Sequence, residues 1–78
     1  MRTVVFGESL KAAHDYIKGN GLSIETSVPA FDSRALRNTG EKIRVLLVGA
    51  YELNHYWQEF KRRLEELEEI HMVHVQFK

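Results

Sequence analysis

The chain has no cysteine, a single proline and no excess charge of either sign, with eleven Lys and Arg against eleven Asp and Glu. Without cysteine, neither a disulfide nor a thiolate metal site can staple the fold, and nothing points to an oxidising compartment. Charge balance removes any whole-molecule attraction to nucleic acid or anionic lipid, and with it one deterrent to self-association. Long hydrophobic runs are lacking too: the apolar stretch before Gly7 is only Val4 to Phe6, far short of the ~20 residues of a membrane span. These absences predict a soluble, unprocessed, cytoplasmic protein with no membrane partner. Seventy-eight residues make one domain that buries only about 60 to 65% of the surface its unfolded chain exposes. Such a thin core makes a homodimer the natural supplement to stability.

What is present is a regular alternation of strand and helix signals. Thr3 to Phe6 is β-branched and aromatic, and Gly7 ends it. Ser9 is a good N-cap, and Leu10, Ala13, His14 and Ile17 recur at helical spacing, which predicts a helix to about Lys18 stopped by Gly19 to Gly21. Ile24 to Phe31 holds the only proline, Pro29, and reads as an edge strand because proline cannot donate a ladder hydrogen bond. Asp32 or Ser33 can cap a short helical turn through Leu36, closed by Asn38 to Gly40. Ile43, Val45, Leu46, Leu47 and Val48 form a nearly continuous apolar run, the mark of a central strand buried on both faces of a parallel sheet. Leu53, Trp57, Phe60, Leu64 and Leu67 fall at steps of four and three, predicting one apolar stripe on a helix of about five turns. Ile70 to Phe77 returns to strand composition.

This order predicts an α/β fold: a small two-layer or three-layer sandwich with a mostly parallel four-stranded sheet, two main helices and a short one, like half of a Rossmann-type fold. Parallel inner strands bring Gly7 and Ser9, Asp32, Ser33 and Arg34, and Gly49 and Tyr51 to one edge, where open α/β sheets bind ligands. Gly7 and Ser9 suit an anion at a helix N-terminus, Arg34 suits a phosphate, and Tyr51 suits stacking on a base. Against this, Glu8 would repel an anion, and neither the three-glycine dinucleotide fingerprint nor the Walker loop is present. Glycines and caps also recur wherever strands turn into helices.

Other side chains read more plainly. His71 and His74, three apart, would point to opposite faces of a strand and cannot share a metal there, while His14 and His55 lack a second ligand at a fixed spacing. No metal and no cofactor is expected. Arg34, Arg37 and Arg44 group in sequence, but without interleaved aromatics or net positive charge they make nucleic acid a poor candidate partner. Glu65, Glu66, Glu68 and Glu69 crowd the C-terminal turns of the long helix, where the helix dipole disfavours them. Three of them, Glu65, Glu66 and Glu69, join Tyr16 and Tyr56, which lie beside the apolar stripes, as candidate protein-contact residues.

The stretch "VVFGESLKAAHDYIKGNGL", followed later by "IRVLLVGAYE", resembles a group of small uncharacterised proteins of actinobacteriophages. The matching positions are Val4, Val5, Gly7, Ser9, Leu10, Tyr16, Gly21, Leu22, Val48, Gly49 and Tyr51. The resemblance implies a phage origin and a bacterial cytoplasm, and carries no known activity. With no base–nucleophile pair and no metal-ligand set in the sequence, the expected function is that of a non-enzymatic binding module acting on a host or phage protein. The alternative is a nucleotide or phosphometabolite binder, possibly an enzyme, at the strand ends.

Overall fold

The computed structural model describes residues 2–30, 32–36 and 41–78. Strand β1 (Arg2–Phe6) leads to helix α1 (Leu10–Gly19) and strand β2 (Ser27–Ala30). After a 3-10 turn (Ser33–Leu36) comes β3 (Ile43–Leu47), and after a second (Tyr51–Leu53) come α2 (Trp57–Glu69) and β4 (Val73–Phe77). All pairings are parallel, in the order β2-β1-β3-β4. The parallel α/β sandwich is the one the element order predicts, and this strand order makes it doubly wound. The chain winds from β1 through α1 to β2, then returns to the other side of β1 for β3 and continues through α2 to β4.

Strand alternation divides the apolar side chains between two cores. Val4 and Phe6 pack with Val45, Leu47, Phe60, Leu64 and Leu67 on the α2 side, whereas Val5, Leu46 and Val48 pack with Ala13 and Ile17 on the α1 side. With a helix on each face the architecture has three layers, and β3, buried on both, is apolar almost throughout. On the α2 side the rings of Phe6 and Phe60 stack with centroids 3.9 Å apart and planes 16° from parallel. Trp57 adjoins Phe6 at 5.9 Å.

The two sheet rims differ. Thr3 donates from its backbone N to Thr26 O at 2.8 Å, so by parallel alternation Val28 and Ala30 turn their N–H groups inward and Pro29 places its missing donor on the outer rim. That rim is blunted against further pairing. At β4, Ile43 N donates to Met72 O at 2.9 Å and Lys78 N donates to Leu47 O at 2.8 Å. The same alternation turns the main-chain groups of Val73, Val75 and Phe77 outward, away from β3.

Three expectations are corrected. Helix α2 begins at Trp57 and has 13 residues, because the chain first makes the 3-10 turn. Leu53 lies in that turn, 73% exposed, and not on the apolar stripe. His14 points to solvent, since α1 buries only Ala13 and Ile17. His71 sits outside β4, in the turn after α2 at φ 57°, and His74 is exposed on the strand. The closing segment Asn38 to Gly40, and Arg37, lie outside the described residues.

Candidate functional site

The register pairs Phe6 with both Ala30 and Leu47, so β1, β2 and β3 end at the same level. The residues that follow them therefore meet at one edge. Gly7 is buried there, and a Cβ on it would stand 3.2 Å from Val48 Cγ2. Its lack of a side chain lets the turn into α1 press against the end of β3. Ser9 caps α1 from an extended backbone, its Oγ accepting from Ala12 N at 3.1 Å. Gly49 takes φ +57°, a left-handed turn that costs an ordinary residue about 1–2 kcal/mol.

The remaining strand-end side chains bond to one another or to α2. Arg34 donates from Nε to both carboxylate oxygens of Asp32, at 3.2 and 3.0 Å, and Asp32 Oδ1 also accepts from Arg34 N at 3.0 Å. These bonds from the Arg34 side chain, and then from its backbone, hold the Asp32 carboxyl below the usual range, and the guanidinium is raised in turn. Ser33 Oγ donates to Glu59 Oε1, tying the 3-10 turn to α2. Tyr51 is half-buried, its ring edge-on to Trp57 at 4.9 Å and 6.1 Å from Phe77.

Asn54 was not legible as a site residue. It is 6% exposed and lies at the crevice between β1 and β3, where the winding direction reverses. Its Nδ2 donates to Gly7 O at 2.9 Å, and its Oδ1 accepts from Tyr56 N at 2.7 Å. The bond ties the residue after β1 to the segment that follows β3, beside the edge at which sheets of this winding bind ligands. The sequence signal was an Asn three residues before a helix start, a local Asx turn, and that pattern does not reveal the long-range bond to Gly7.

The contact candidates fall on two faces. Tyr16 is half-buried against the α1 core, whereas Tyr56, half-buried, sits at the start of α2 with its ring 5.3 Å from His55. Glu65, Glu66 and Glu69 are exposed along α2, Glu66 pairing with Arg63 at 3.1 Å. Arg44 donates to Thr3 Oγ1 on the α1 face of the sheet, while Arg34 lies beside α2, so these two arginines form no common patch. Among the described residues no cluster of three or more metal-ligating side chains occurs, and no helix is long and apolar enough to cross a membrane.

An apolar groove of about 160 Å³ runs between α2 and β4, walled by Trp57, Leu64, Val75 and Phe77 and rimmed by Lys61 and Glu65. Phe77 is 70% exposed. At the amino-terminal ends of the strands a polar cavity of about 310 Å³ is lined by Arg2, Glu25, Thr26 and Glu41. No protein-family model matches the chain, and no curated protein or solved structure does either.

Proposed function

We propose that the protein is a non-enzymatic binding module acting through protein–protein contact, with the flank formed by α2 and β4 as its contact surface. One contrast carries this reading. At the strand ends Asp32 and Arg34 are bonded together, Ser9 is used as a cap, and the buried Asn54 is bonded to Gly7. On the flank, Phe77 stands 70% exposed beside an apolar groove. Exposed apolar walls with a charged rim are the usual composition of a protein interface. Lys61 and Glu65 rim this surface on α2, and the phage resemblance makes a host or phage protein in a bacterial cytoplasm the natural partner.

Affinity capture tests the reading. A partner retained by the unaltered protein and lost with Phe77→Lys supports it, whereas retention by both proteins counts against the flank. The second reading, a nucleotide or phosphometabolite binder, is favoured by the convergence of Gly7, Ser9 and Gly49 at the point where winding reverses. A panel of nucleotides at millimolar concentration is expected to leave the melting temperature unchanged. A rise that Ser9→Glu abolishes would install the second reading in place of the first.

A further inference from the structure

We infer that the open rim of β4 pairs with β4 of a second copy, antiparallel across a twofold axis through Val75, joining two sheets into one of eight strands. The inference rests on reading the α2–β4 flank as a protein-contact surface, and it names the occupant.

Main-chain geometry supplies the first argument. Val73, Val75 and Phe77 turn their N–H and C=O groups outward, as the bonds of Met72 O and Lys78 N to β3 require. An axis through Val75 sets Val75 against its own copy and Val73 against Phe77. Each of these is a pair in which both residues present outward groups, giving about six new main-chain hydrogen bonds in the antiparallel pattern. Shifting the register by one residue would place His74, whose groups face β3, opposite an outward pair.

The side chains agree with that register. Val73, Val75 and Phe77 share the α2 face of the sheet, so the 70% exposed Phe77 of one copy lies beside Val73 of the other. Directly opposed residues in antiparallel strands place their side chains on one face, within contact of each other.

Charge supplies the third argument. Helix α2 runs opposite to β4: Trp57 lines the groove with Phe77 at one end, and Met72 N donates to Leu67 O at the other. Lys61 and Glu65 both rim the groove, one turn apart on α2, so each copy brings both signs of charge to the shared cleft. Zero net charge leaves no bulk repulsion between copies. The β2 rim offers no rival site, because of its outward residues Pro29 has no donor and Ser27 N already donates to Ser23 O at 2.9 Å.

Light scattering across micromolar to millimolar protein tests the inference. The unaltered chain is expected to have twice its chain mass. Val75→Pro deletes an outward donor that β3 does not use, so it should give a monomer with unchanged far-ultraviolet circular dichroism. Should that variant fail to fold, Phe77→Lys gives the same readout. Lys61→Glu should weaken association roughly tenfold by opposing like charges, and Lys61→Glu with Glu65→Lys should restore it. A monomeric unaltered protein, a dimer indifferent to Val75→Pro and Phe77→Lys, or a charge exchange that restores nothing would each overturn the inference. A monomer whose capture of a partner still depends on Phe77 would sink the dimer and leave the protein-contact reading standing. A dimer that loses no partner on Phe77→Lys would do the reverse.

Discussion

Asn54 donates from its side-chain Nδ2 to the carbonyl of Gly7, 47 residues earlier, at 2.9 Å. One amide therefore joins the end of β1 to the segment that starts α2, and with Oδ1 on Tyr56 N it is partnered on both sides. The bond is buried, which makes its loss more costly than that of a surface contact.

Asn54→Ala is expected to leave the Gly7 carbonyl without its side-chain donor and Tyr56 N without its acceptor, lowering stability by about 1–3 kcal/mol. A melting temperature reduced by about 4–8 °C per kcal/mol would register this in a chain of this size. Asn54→Asp keeps the acceptor and loses the donor, so it should not rescue.

Phe60→Ala removes the ring stacked 3.9 Å from Phe6 and should cost about 3–5 kcal/mol. At roughly 0.05–0.15 kcal/mol per residue the whole fold has only about 4–12 kcal/mol. Urea titration should find the midpoint of this variant lowered by at least about a quarter; a midpoint close to that of the unaltered protein would show that the α2 core is not the main source of stability.

Two glycines should answer substitution with opposite signs. Gly19→Ala adds a methyl group that meets nothing within 4 Å, at the end of α1, and should stabilise by about 0.4–1 kcal/mol. Gly49→Ala, forced to φ +57°, should destabilise by about 1–2 kcal/mol. Paired thermal melts compare them directly.

The Asp32 carboxyl, held low by bonds from Arg34, makes a contribution with a definite sign in pH. Its folded pKa lies below the unfolded value, so the stabilisation is present above the ordinary carboxylate pKa of 3.8 and is lost as pH falls through the lower folded value. Asp32→Asn should melt earlier than the unaltered protein at neutral pH, and the gap should close in acid below that value. A gap that stays constant from neutral pH into strong acid would remove the ion pair from the account.

Much of the fold was legible because each local signal agreed with its neighbours. The apolar run Ile43 to Val48 required two covered faces, Pro29 required a rim, and Ser9 required a helix start; each is found where its chemistry placed it. Periodicity misled at Leu53 because a 3-10 turn leaves it four residues before Trp57, the same interval a continuous helix would give. It misled at His14 because α1 buries a narrow stripe, and helical spacing alone does not tell the width of the buried face. At the strand ends, residue types and their shared edge were readable from parallel topology. The partner each side chain chose was not: Arg34 turns back to its neighbour Asp32 and not outward, Tyr51 lies against Trp57, and Asn54 reaches Gly7 across a separation that only the folded chain closes.

Pro29 has a consequence for stoichiometry. A sheet sealed along one margin and unsealed along the other has a single join to make, so end-to-end growth into fibres is halted after one step. The imino ring that costs β2 a donor thereby acts as a terminator, limiting any assembly through strand pairing to a closed pair.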